Sequence, residues 1–182
     1  MSDWEKLYET SVRTKTRFLL QDFYEKFAKL LKSKNWEGIF KKDRFEKYYF
    51  HKLSAIDNSL YIEAQWELYK NFWKEEPKID WKLEIGIVVN GYNINTLIGD
   101  ISVSIKSFHK VEEFKDFDVK KAKKSEKILL FLGFSKVLSN LKKNLEKTTG
   151  KSKLTELSGR DLYNESEEIR KWIIEYFKLY NY

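Results

Sequence analysis

The residues of this chain best able to do chemistry alternate along three segments that read as strands. Glu63 and Gln65 lie on the first, Glu84 on the second, and Asp100, Ser102, Ser104 and Lys106 on the third, with Asp57 at a turn before them. Side chains two residues apart on a strand share a face, so the spacing gathers these groups on one side of a sheet. Carboxylates on neighbouring strands beside a lysine are what a Mg²⁺-dependent phosphodiester hydrolase needs. The oxygens hold the hard cation and the ammonium steadies the attacked phosphate. In that reading Asp57, Glu63, Glu84 and Asp100 supply the acidic site and Lys106 the cation. The plainer reading is a solvated sheet face whose charges pair across strands, with Lys52 opposite Glu63 and Lys82 near Glu67.

The run Glu63-Ala64-Gln65 after Asp57 is distantly similar to the acidic signature of restriction-type nucleases of the PD-(D/E)XK kind. It departs from that signature at Gln65, where those enzymes carry Lys, and in its short Asp-to-Glu separation, so no family follows from it. Gly150-Lys151-Ser152 imitates the end of a phosphate-binding loop, but the required earlier glycine is Leu145. Leu132-Gly133-Phe134-Ser135-Lys136-Val137 imitates an aromatic RNA-binding strand, yet its flanks are too apolar for a solvent-facing platform. His51 and His109 are the only histidines. A histidine-rich metal site or a Ser-His relay would therefore rest on one of these two. His51 shares parity with Tyr49 and Leu53 and reads as a core residue.

The charge is unevenly placed. With 35 Lys+Arg against 28 Asp+Glu the chain carries a net of +7. Residues 108–160 hold 14 basic and 7 acidic residues, which is the whole excess. Within it lie Lys120, Lys121, Lys123, Lys124, Lys127, Lys136, Lys143, Lys147, Lys151 and Lys153, the candidate contacts to an anionic partner. Arginine is scarce, only Arg13, Arg17, Arg44, Arg160 and Arg170. Lysine lacks the planar fork that reads guanine edges, so nucleic acid would be held by its backbone, without strong sequence specificity.

Three functions follow as expectations. The first is a non-catalytic binding protein whose lysine-rich section contacts nucleic-acid backbone, needing no cofactor. The second is the Mg²⁺-dependent nuclease. The third is a protein-interaction or inhibitor module anchored by aromatics such as Trp4, Tyr61, Tyr69 and Tyr182.

Other classes drop out. Without cysteine there is no disulfide framework, thiolate metal site or cysteine nucleophile. Thirteen Phe, eleven Tyr and six Trp argue against disorder. No run of about 18 apolar residues exists, and Met1-Ser2-Asp3-Trp4-Glu5 lacks a signal-peptide layout. A soluble cytoplasmic protein with no membrane partner is expected.

These groups must be positioned by an α+β fold, read as one domain over residues 1–182: a helix over 1–34, a sheet over 46–108, and a basic helix plus a C-terminal helix over 118–182. Ser2 and Glu5 resemble a capping box opening a long N-terminal helix to about Ser33, with Leu20, Phe23, Phe27, Leu30 and Leu31 on its apolar stripe. Arg13-Thr14-Lys15-Thr16-Arg17 interrupts that stripe. A four-stranded antiparallel meander follows. Its strands are Lys47–Ile56, Leu60–Tyr69, one with Trp81, Leu83, Ile85, Ile87 and Val89 facing inward, and one running through Ile94 to Ile105. Asn90-Gly91 is expected to make the last hairpin turn and Gly99-Asp100 a β-bulge. The apolar run 128–134 fits a buried helix or a buried strand, and the helical spacing of Phe134, Val137, Leu138, Leu141 and Leu145 favours a helix to about Lys147, starting near Lys120 or Ser125 or bent at Gly133, and ended by Thr149-Gly150. The last helix is expected to be capped at Asn164 or Ser166, with Ile169, Trp172, Ile173, Tyr176, Phe177 and Tyr180 on its packed stripe.

Overall fold

The structure, a computed structural model, describes residues 4–39, 44–73, 78–111 and 150–178. Strand β1 (Glu5–Arg17) leads into helix α1 (Leu20–Ser33), followed by β2 (Glu37–Gly38), β3 (Glu46–Leu53), β4 (Ser59–Trp73), β5 (Ile79–Asn93), β6 (Ile98–Val111) and helix α2 (Gly150–Tyr176). All six strands pair antiparallel. The order is β1-β6-β5-β4, and β2 and β3 share the far edge of β4.

The expected long N-terminal helix is replaced by a strand and a shorter helix. Over Thr10, Val12, Thr14 and Thr16, β-branched residues alternate with Ser11, Arg13, Lys15 and Arg17. Such side chains are stiff at χ1 and fit a pleated surface better than a helix. The segment that interrupts the helical stripe is thus the strand itself, and it closes the sheet against β6 from Glu5↔His109 to Arg17↔Ile98. A register shift between Lys6 and Tyr8 hides the alternation at its start. The expected four-stranded meander is therefore the β3–β6 part of a six-stranded sheet.

Both helices cover one face of the sheet. From β4 to β6 that face presents Ile62, Ala64, Trp66 and Leu68, then Trp81, Leu83, Ile85, Ile87 and Val89, then Ile101, Val103 and Ile105, all buried. Helix α1 lays Phe23, Phe27 and Leu31 on it. Phe27 stacks between Trp66 and Trp172, each 5.5 Å away. The helix stops because Asn35 adopts φ 63°, a left-handed residue that lets the Trp36 N–H reach back to the Leu31 carbonyl.

Helix α2 starts well before the expected cap. Gly150 lies within it. Its buried stripe is Ser158, Leu162, Ser166, Ile169 and Ile173, continued by Phe177 just past its end. Ser166 looks like a helix cap in the sequence because short hydroxyl side chains satisfy free backbone donors. Here Ser166, like Ser158, is a small interior residue whose hydroxyl is already bonded. Ser158 Oγ accepts the Trp81 indole N–H at 2.8 Å, and Ser166 Oγ donates to the Leu162 carbonyl at 2.7 Å.

Two turns also differ from expectation. Asn90-Gly91 does not make the β5–β6 turn. Gly91, at φ 60°, and Tyr92 instead form a bulge in β5 opposite Gly99, because pairing passes from Asn90↔Asp100 directly to Asn93↔Ile98. The extra residue lies on β5, not at Gly99-Asp100, and a Cβ on Gly99 would stand 3.0 Å from Tyr92 atoms. The turn comes later: the Asn93 side chain accepts the N–H groups of Asn95 and Thr96, and Leu97 takes φ 61°. The basic helix expected over about 120–147, with its apolar run at 128–134, lies outside the described residues.

Candidate functional site on the outward sheet face

The face turned away from the helices carries the groups singled out for chemistry. The register sets them in rows across the strands. One row runs Glu9, Lys106, Glu84, Glu67, and the next Ser11, Ser104, Gly86, Gln65, Tyr48. A third runs Arg13, Ser102, Val88, Glu63, Phe50. Around Gly86 the short side chains leave a depression of about 290 Å³, lined by Lys47, Gln65, Glu67, Glu84, Ser104 and Lys106 among others.

Only Glu84 and Lys106 of the five expected catalytic residues are cross-strand neighbours. Glu63 stands beside Val88, four residues further along β5 than Glu84, about 13 Å at the usual strand rise. Asp100 is six residues from Lys106 on β6, about 20 Å along the strand. Asp57 lies at the tip of the β3–β4 hairpin, where its carboxylate accepts the Ser59 N–H at 3.2 Å and the Ser59 hydroxyl at 2.9 Å. It holds the turn together with Asn58, at φ 53°.

The carboxylates also have protein partners. Arg13 grips Asp100 with two nitrogens, Nε at 3.1 Å from Oδ1 and Nη2 at 2.5 Å from Oδ2. Lys82 reaches Glu84 at 2.8 Å, Lys106 reaches Glu9 at 3.2 Å, and Lys47 and the Tyr69 hydroxyl bond Glu67. Lys82 also stands 4.2 Å above the Phe108 ring and 5.3 Å above Trp4. Among the described residues no group of three or more His, Cys, Asp or Glu side chains could hold a metal ion. The face is an ion-paired lattice, and Arg13, with Glu9 and Lys47, is a member that sequence reasoning left out. Its signal, an arginine on a strand beside β6, was hidden when residues 5–17 were read as helix.

The pairing shifts these acids. Arg13 holds the Asp100 carboxyl below its ordinary range, and Lys6 and Lys106 do the same for Glu9. Burial pushes Glu67 up, but the Lys47 ammonium and the Tyr69 hydroxyl outweigh it and leave it lowered. Tyr69 is pushed up to about 12 by burial and by Glu67. A depressed carboxylate contributes stability that is present above its unfolded pKa and lost as pH falls through its folded value. Resistance to urea should therefore decline below about pH 4, where unfolded Asp and Glu protonate. Asp100→Asn should make that decline shallower. A variant with the wild-type slope would show that the Arg13 pair carries none of it.

His51 is exposed rather than in the core, its ring 5.6 Å from Tyr49. It lies on β3, an edge strand whose helix-side face α1 leaves uncovered. His109 is the buried histidine, with Nε2 3.0 Å from Glu5 and Nδ1 unpartnered. Trp4 and Tyr69, two expected interface anchors, pack on each other with centroids 5.9 Å apart, and Tyr182 lies outside the described residues. Among the described residues the exposed aromatics are Tyr48, Tyr49 and Phe50 of β3 and Tyr163 of α2, whose ring packs edge-on against Tyr8. Of the ten candidate lysines, Lys120, Lys121, Lys123, Lys124, Lys127, Lys136, Lys143 and Lys147 lie outside the described residues, and Lys151 and Lys153 fall in the first turn of α2.

No family model, curated protein or solved structure matches the chain significantly. No helix among the described residues is long and apolar enough to cross a membrane.

Proposed function

We propose that this is a non-catalytic binding protein whose lysine-rich section, Lys120 to Lys153, contacts the backbone of nucleic acid without strong sequence specificity. One observation carries the reading: the entire net charge of +7 is confined to residues 108–160, while the rest of the chain balances. A dispersed excess would raise solubility alone. A confined one makes a local field that concentrates polyanions. Two of the four candidate acids, Asp100 and Glu84, already have cationic partners, which supports binding over hydrolysis.

The test is a titration of labelled single- and double-stranded DNA and RNA at two salt concentrations, each with and without Mg²⁺. Binding should weaken steeply with salt, log K falling by about 0.9 per phosphate contact on duplex DNA against log salt. The pair Lys121→Glu and Lys124→Glu should reduce that slope by about two contacts and the affinity by tenfold or more. Cleavage that depends on Mg²⁺ would instead establish the nuclease, and absence of binding at low salt would refute the proposal.

A further inference from the structure

At the end of the outward face nearest the β5–β6 turn, open rings and unpaired cations lie side by side. Tyr48, Phe50 and Lys52 of β3 stand opposite Gln65, Glu63 and Tyr61 of β4. Tyr48 and Phe50 are 45% and 44% exposed, and the Phe50 and Tyr61 rings lie 6.2 Å apart. Beside Tyr61 a depression of about 300 Å³ passes over Val88, Asn90 and Ser102 to Arg13 and Asp100. Lys15 and Arg17 continue the same face of β1 past Arg13, opposite Asp100 and Ile98.

The charge of this region is positive. Arg13, Lys15, Arg17 and Lys52 outnumber the carboxylates at this end, Asp100, Glu63 and the Asp57 of the β3–β4 turn, which is already bonded by Ser59. Asp100 is gripped by Arg13, and Glu63 accepts the Tyr61 hydroxyl at 3.3 Å. Among the described residues Lys15, Arg17 and Lys52 make no salt bridge, and all three are exposed. From β3 to β1 is four strand spacings, about 19 Å.

Rings with open faces at one side of a shallow trough and cations along it suit an unpaired nucleotide strand. Its bases offer π faces for stacking, whatever their identity, and its phosphates need cations. A duplex hides those base faces within its own stack. A protein partner would be anchored better by an enclosed apolar pocket than by a trough floored with Val88, Asn90 and Ser102.

We propose that single-stranded nucleic acid lies across this end of the outward face, with bases on Tyr48, Phe50 and Tyr61 and phosphates on Lys52, Arg13, Lys15 and Arg17. The inference rests on the nucleic-acid reading above and adds the strand state and a second contact surface. The full-length protein is titrated with fluorescent oligo(dT), oligo(U) and a duplex of equal length. Single strands should bind more tightly than the duplex. Phe50→Ala combined with Tyr61→Ala should weaken single-strand binding by roughly tenfold or more and leave duplex binding unchanged. Phe50→Trp should retain it. Phe50 is exposed and Tyr61 half-buried, so a single cooperative melting transition lowered by only a few degrees is expected and shows that the variant is folded. A folded double variant with undiminished single-strand affinity, or equal affinity for both strand states, overturns this inference. Dependence on Lys121 and Lys124 alone would then leave the general function standing. Failure of every oligonucleotide to bind at low salt overturns both.

Discussion

Trp81→Ala should lower the unfolding free energy by about 3–5 kcal/mol, the range for deleting a large aromatic from a packed core. Trp81 sits on β5 with 2% of its surface exposed. Its ring stacks on Phe72 at 4.5 Å with planes 16° apart, Trp36 lies 6.4 Å away, and the Lys70 ammonium stands 5.2 Å above it. Its indole N–H makes one of the bonds that tie α2 to the sheet, donated to Ser158 Oγ. Alanine opens a cavity under the helix and leaves a buried hydroxyl without its donor, so the transfer, cavity and hydrogen-bond costs add. Trp81→Phe keeps most of the volume and loses chiefly the bond, about 1–2 kcal/mol. Urea denaturation should rank the two variants in that order, and the alanine variant should melt on the order of 10 °C below the wild type. A loss under about 1 kcal/mol for Trp81→Ala would mean that α2 does not depend on this contact.

Glu165→Ala should be nearly as damaging, about 3 kcal/mol. The Glu165 carboxylate lies between α2 and the sheet, 2.7 Å from Lys70 Nζ and 2.7 Å from the Trp36 indole nitrogen that donates to it. The side chains of Lys70 and Glu165 are only 20% and 15% exposed. Removing the carboxylate strands a half-buried ammonium and an indole donor together. Removing the ammonium is milder, because Lys70→Met keeps the stem against the Trp36 and Trp81 rings and leaves the carboxylate its indole donor. Glu165→Gln, which preserves the acceptor but not the charge, should fall between them. If Lys70→Met costs as much as Glu165→Ala, the attraction between the charges dominates and the indole bond is secondary.

Side-chain periodicity is a local property of the backbone, and what it governs was legible in the sequence. The stripe of Phe23, Phe27 and Leu31, the alternation of Ile62 to Leu68 and of Trp81 to Val89, and the stripe Ile169, Ile173, Phe177 all face the core. The turn at Asp57-Asn58 was legible too, because the aspartate accepts its own neighbour's N–H and asparagine tolerates a left-handed backbone. Partnership between distant segments was not. The outward carboxylates were placed on the right face, but nothing local said that Arg13 would reach Asp100 across 87 residues.

By itself, then, the sequence determined the apolar faces of α1, β4, β5 and the end of α2, the absence of thiol chemistry, and the confinement of the net charge to residues 108–160. Those follow from composition and from the spacing of neighbours. Tertiary structure alone decided that residues 5–17 form a strand, since a threonine-rich alternation becomes a stable β-strand only when β6 supplies its hydrogen bonds. It also decided that Ser158 and Ser166 lie inside a helix, that Asp100, Glu84, Glu67 and Glu9 of the outward face are held by cations, and that the rings of β3 stay open. Each of these depends on what a distant segment brings within bonding distance, and a side chain carries no local record of the partner it will meet.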